Sequence, residues 1–426
     1  MKFLCQLVAL CVFVLLTLLP GASAMLPKEQ RFTVEEINAN PTILNNLHLK
    51  HGKLNGIDIK NALIKNLTLE DVAIYDGKFT NITFENCTFK KVDFIENMLS
   101  NVAFIKCKLI SLDDTYHHQK ITNIIDSTFY NVMFQETELT YLDANITGND
   151  GFILFKNVTK TKPMGKGGGS IINILNAQVR VDNSRINGTI AGRKDVNAIT
   201  KNTKYVDGGI YCDQNFILNS EIQNSTVGAR KILVLKDSIA DGGSNIDGKG
   251  YFINNTYLST MEELFSGRTQ VHGFGIDVSE GSHAYVLAKD NKPTALRLFG
   301  GEITLKNFTL VDTIIGTNLG RMPPISALNL QNTTITGGSW KGKILGGKWE
   351  DVRITPTVLV NRADIQNVLT HRLEFPKGPP WQQKGDFVFN VKESNTPFEW
   401  PDIKVPTPEE LGLVWWPDVE PGYHGK

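Results

Sequence analysis

Few of the chain's reactive side chains fall into a spacing that a known chemistry requires. Asp113, Asp114, His117 and His118 gather in one short stretch. Carboxylates and imidazoles are donor types for a divalent cation, but this spacing matches no metal-ligand motif. The stretch therefore reads as a solvated insertion. Lys160 to Gly169 (Lys-Thr-Lys-Pro-Met-Gly-Lys-Gly-Gly-Gly) has the look of a phosphate-cradling loop. It lacks the P-loop spacing and does not clearly lie between a strand and a helix, so it reads as a flexible loop. Asp241 and Asp247 lie close together, and the stretch from His272 to Asp277 joins an imidazole to a carboxylate. Both are weak signatures of acid–base chemistry on a polysaccharide. Asn-X-Ser/Thr triplets at Asn66, Asn81 and Asn86 arise from a local repeat, so glycosylation does not follow from them. No catalytic, cofactor or metal site is assigned. The residues singled out for partner binding are Trp381, Trp400, Trp415 and Trp416, near the C-terminus.

What must carry these residues is legible from a repeat. A large apolar residue returns at every fifth position from Leu44 to Leu109, without a slip, through Ile59, Ile64, Leu69, Phe84, Phe89 and Phe104. A helix needs a period near 3.6 and a half-buried strand a period of 2, so neither generates this beat. A chain that winds in short flat faces, one inward plug per face, does generate it. Such a coil buries its plugs only by stacking on copies of itself. Two positions before many plugs sits a second, mostly smaller apolar residue: Ile57, Ala62, Val72, Ile82, Cys87, Val92, Val102 and Cys107. Two positions after many plugs sits Asn or Asp, as at Asn61, Asn66, Asp71, Asp76, Asn81, Asn86 and Asn101, where a tight corner suits them.

Asn61-Ala62-Leu63-Ile64, Asn81-Ile82-Thr83-Phe84, Asn86-Cys87-Thr88-Phe89 and Lys91-Val92-Asp93-Phe94 resemble the pentapeptide-repeat family. The resemblance implies a right-handed quadrilateral β-helix in which four pentads make one square turn. Residues twenty apart then stack, placing Asn61, Asn81 and Asn101 in one column and Asn46, Asn66 and Asn86 in another. Phe79, Phe84, Phe89 and Phe94 fill one layer, and the beat fails at Asp114. Cys87 and Cys107 fall one above the other, where two small buried thiols fit better than a strained bridge.

The expected fold is all-β: a parallel β-helix with a capping segment and a Pro/Trp-rich tail. Residues 44–140 form the regular coils and 141–372 an irregular continuation of the same solenoid with looped-out insertions. A second, unrelated β domain is the alternative. Within 25–43, Thr33-Val34-Glu35-Glu36 fits a capping box that starts a helix sealing the first coil. In the final stretch, residues 376–426 hold nine of the chain's 17 prolines. That density excludes strand or helix interiors, while the tryptophans imply packing. The tail of 373–426 is read as a strap over the stack, with a docking tail as the sharper alternative.

The opening residues have the layout of a secretory signal: Lys2, an apolar run from Phe3 to Leu19, then Ala22-Ser23-Ala24. Cleavage after Ala24 is expected, leaving an exported protein (periplasmic or secreted) with no membrane span. Lys plus Arg and Asp plus Glu both number 44. Residues 41–110 carry no excess of acid that could mimic DNA, so no nucleic-acid partner is expected. No cofactor is implied. The best-fitting function is a non-catalytic binding or scaffold protein with a protein or surface-glycan partner. The alternative is a carbohydrate-active β-helix enzyme, a polysaccharide lyase or hydrolase.

Overall fold

The corner residues come first, because they decide the path of the chain. Asn46, His51, Gly56, Asn61, Asn66, Asp71, Asp76, Asn81, Asn86, Lys91, Glu96, Asn101 and Lys106 all have φ between 50° and 69°. This left-handed region is mildly tolerated by Asn and Asp and resisted by other L-residues. A left-handed residue at every fifth position folds the backbone into equal short sides. In the computed structural model, which describes residues 32–110, 123–140, 142–161, 171–241, 245–247, 250–258, 260–263, 269–272, 274–316, 324–374 and 382–425, those sides stack into a parallel β-solenoid of about 14 turns. The signal segment 1–24 with its cleavage point, Asp113, Asp114, His117, His118, residues 162–169 and Trp381 lie outside the described residues.

From His48 to Ile110 the register is constant at twenty residues: Leu49 pairs with Leu69, Ile59 with Phe79, Phe79 with Leu99 and Phe89 with Leu109. Plugs and companions both point inward, and Ile59 through Leu109 are buried at every plug. Phe79, Phe84, Phe89 and Phe94 fill one layer with ring centroids 5.4–6.1 Å apart. Along the axis Phe84, Phe104, Phe134 and Phe155 stack face to face at 5.1–5.5 Å. The two amide columns form as hydrogen-bonded ladders, Asn66 Nδ2 donating to Asn46 and Asn86 Nδ2 to Asn66 at 2.8 and 2.7 Å. Cys87 and Cys107 are buried free thiols, and burial drives the Cys107 thiol far above its ordinary value.

The stack does not end where the beat does. Phe104 pairs with Phe134, an offset of thirty, ten more than in the preceding coils. Parallel pairing then continues, through offsets as short as sixteen, to Glu393. Among the described residues, thirty-one strands share one sheet, so the irregular half belongs to the same solenoid. One antiparallel hairpin, Thr260–Glu263 with Thr269–His272, pairs only with itself. No helix among the described residues is long and apolar enough to cross a membrane.

The N-terminal end is closed by α1 (Val34–Ala39). Thr33 Oγ1 accepts from Glu36 N and Thr33 N donates to Glu36 Oε2. Its own Ile37 is buried in the core of the stack.

Two expectations need correction. Lys160 is not part of a loop: it occupies a plug position between Leu139 and Ile186, fully buried, with Nζ donating to the Asn187 carbonyl at 3.1 Å. The last coil reaches Glu393, beyond residue 372, because the segment Gln382–Glu393 contains no proline and pairs with Leu359–Glu374.

Candidate functional site

On one side of the rod many of the outward positions are apolar. Register links Thr83, Ala103, Met133, Leu154, Arg180, Ile199, Phe216, Val234, Tyr251, Tyr285, Thr304 and Asn329 into a single outward column. That is eleven steps, or about 53 Å at the usual strand spacing. Water should reach such a column, yet Ala103, Leu154, Arg180, Ile199 and Val234 are all 0% exposed. The cover is the chain's own C-terminal segment.

This segment leaves the last coil and returns along the column toward the first coils. Trp400 Nε1 donates to Glu350, and Phe398 packs on His371 and beneath Lys348. Further along, Val405, Leu411, Leu413 and Trp415 close over Ile199, Phe216 and Val234. Trp416 packs with Ala103, Met133 and Leu154. The final turn brings Tyr423 onto Thr83, whose Oγ1 accepts from Tyr423 N at 2.8 Å. Prolines suit this role: an extended strap has no ladder partner to which it must donate. Arg180 ties strap to coil, donating to the Val414 carbonyl and to the Val179 and Asn197 carbonyls. Burial pulls its pKa down to about 9.

Of the four tryptophans singled out, the structure therefore brings Trp400, Trp415 and Trp416 onto one face, each half-buried. Trp415 lies beneath Lys201 and Trp416 beneath Lys156. Lys156 also pairs with Glu420 at 2.8 Å.

The carboxylates and imidazoles sort differently. Asp241 accepts from the Asn224 backbone N–H at 3.0 and 3.2 Å, a structural corner bond. Asp247 and Asp277 become neighbours in register, while His272 belongs to the antiparallel hairpin. Among the described residues no group of three or more His, Cys, Asp or Glu could hold a metal ion.

A cluster that sequence reasoning missed lies at the irregular end of the same face. Tyr251 and Tyr285 stack at 5.3 Å, and His283 stacks on Tyr285 at 3.9 Å. His283 Nε2 lies 2.8 Å from Thr304 Oγ1, and Nδ1 lies 3.5 Å from Glu302. Asn329 Nδ2 donates to Glu302 at 2.8 Å. Burial holds the imidazole below its ordinary value, against the pull of the Glu302 carboxylate. Its members come from four coils set nineteen to thirty-four residues apart, so no short motif announces them.

No family model matches the chain, and no curated protein does. Several solved structures show a likeness. HetL, a pentapeptide repeat protein involved in heterocyst differentiation regulation in the cyanobacterium Nostoc sp. strain PCC 7120, is 10% identical with a TM-score of 0.21, over 49% of this chain and 94% of that one. The catalytic domain of a GH87 α-1,3-glucanase is 12% identical with a TM-score of 0.27, over 79% of this chain and 64% of that one. A mannuronic acid-specific family 6 polysaccharide lyase from human gut microbiota is 12% identical with a TM-score of 0.24, over 86% and 90%. At these scores the likenesses carry no argument about activity.

Proposed function

We propose that this chain is an exported, non-catalytic binding protein, a pentapeptide-repeat-like rod whose partner docks along the strapped face. One observation carries the reading: the chain's own tail lies lengthwise on that face, placing Trp400, Trp415 and Trp416 there beside polar columns. Tryptophans half-buried at a rigid surface are typical anchors of an interface. The signal-like opening residues support export, and the rod's mixed charge supports neither DNA mimicry nor attraction to an anionic membrane. The partner is a protein or a surface glycan.

The test is fractionation of the native protein, then capture from envelope material by the purified full chain and by Trp415→Ala. Trp415→Ala trims an anchor while the Leu413 core of the strap remains. Capture that weakens with unchanged melting supports the reading. The non-catalytic part fails if the purified protein turns over any polysaccharide and Glu302→Gln abolishes that turnover.

A further inference from the structure

Beside the strapped column runs a second outward column, and near the first coils it is made of carboxamides. Asn81 Nδ2 donates to Asn61 at 2.9 Å, Asn101 Nδ2 to Asn81 at 3.2 Å and Asn131 Nδ2 to Asn101 at 3.2 Å. Asn131 Oδ1 then accepts from Phe152 N at 3.0 Å, which ends the run. These four amides form the floor of a cavity of about 670 Å³, and the end of the strap forms its wall, with Glu420, Tyr423 and His424. That volume falls within the usual range for a small-ligand site.

The wall is held in place independently of any occupant. Tyr423 is fixed to Thr83 through its backbone. His424 Nε2 lies 2.7 Å from the Glu420 carbonyl. Glu420 Oε1 is taken up by Lys156 and by Trp416 Nε1 at 2.8 and 3.1 Å.

The floor specifies a chemistry. A carboxamide carries two N–H donors and an oxygen with two lone pairs. A ladder bond to each neighbour uses at most one donor and one lone pair, so each rung keeps at least one of each. Four such pairs recur over three strand spacings, about 14 Å. The lining has no carboxylate except Glu420, already neutralised by Lys156. A hydroxyl group is itself both donor and acceptor, and a sugar ring offers a C–H face to an aromatic side chain such as Tyr423. We infer that this groove binds a neutral, linear glycan, its hydroxyl edge on the Asn61–Asn131 ladder and a ring against Tyr423. The inference rests on the binding-protein reading and names the ligand class for this end of the face.

The experiment is calorimetric titration of the full chain with cellohexaose, maltohexaose and chitohexaose, with polygalacturonate as the acidic comparison. Two variants test the geometry. Asn101→Gly removes one amide while glycine accepts the corner φ of 53°. Tyr423→Ala removes the ring and keeps the backbone bonds to Thr83. Saturable binding of at least one neutral hexamer, with each variant weakening it tenfold or more while remaining fully folded at the titration temperature, is the expected result. No binding of any neutral hexamer, tighter binding of polygalacturonate, or affinity indifferent to Tyr423→Ala overturns it. Capture from envelope material, run in parallel, separates the two readings. If capture persists while the hexamers fail, the ligand class is wrong and the binding protein stands.

Discussion

At the scale of single residues, the fold depends on two kinds of position. One is the corner. Asn101 holds φ at 53° and links two ladder bonds, so its side chain and backbone conformation agree. A β-branched residue there meets the left-handed penalty of about 1–2 kcal/mol. Asn101→Val should therefore lower stability by more than Asn101→Gly, as measured by thermal unfolding of both. Equal losses would mean the ladder, not the corner, dominates. The other position is the plug. Phe104 stacks on Phe84 and Phe134 and meets Phe89 edge-on, so Phe104→Ala removes contacts on three sides. A loss of about 3–5 kcal/mol is expected by denaturant titration, and a loss below about 1 kcal/mol would contradict a close-packed aromatic column.

At the scale of elements, the strap is what the coils alone do not explain. Trp416 covers Ala103, Met133 and Leu154 and donates its indole N–H to Glu420. Trp416→Ala should leave circular dichroism unchanged and make the segment after Leu413 sensitive to limited proteolysis. Cleavage no faster than in the parent would mean that the strap's other ties, Tyr423 to Thr83, Glu420 to Lys156 and Val414 to Arg180, hold it without Trp416. The coils themselves were legible because one period fixes plug, companion and corner together. Asn61 and Phe84 announce their geometry by residue type and spacing. The strapped column was not legible. Its members are separated by offsets from seventeen to thirty-four residues, so Met133, Leu154 and Phe216 read as isolated apolar residues until register aligns them. The His283–Glu302 cluster was hidden for the same reason. Trp415 and Trp416 were legible as packing residues of a strap, but only the fold says which column of the coils they cover.

At the scale of the whole molecule, stability and cooperativity come apart. A stack of coils is nearly one-dimensional: each coil touches only its neighbours, so remote coils can unfold separately. Here the two halves differ in kind. The first has constant twenty-residue coils filled by phenylalanine; the second has variable coils and buries Trp340 and Trp349. Nearest-neighbour contacts alone would let these halves melt apart. The strap changes that, because one segment touches Glu350 at one end and Thr83 at the other. Freeing any coil beneath it forfeits strap contacts elsewhere. Leu413 is the natural place to cut this link, since it is 2% exposed between Ile199, Phe216 and Val234. Leu413→Asp places a charge in that apolar seat, which costs several kcal/mol unless the strap lifts away. In the parent, tryptophan fluorescence and circular dichroism should report one coincident denaturant transition. In Leu413→Asp the two probes should separate, the far coils losing their tryptophan signal while the phenylalanine-filled coils remain folded. Coincident transitions in the variant would show that coil-to-coil contacts already make the rod cooperative and that the strap adds cover but no coupling.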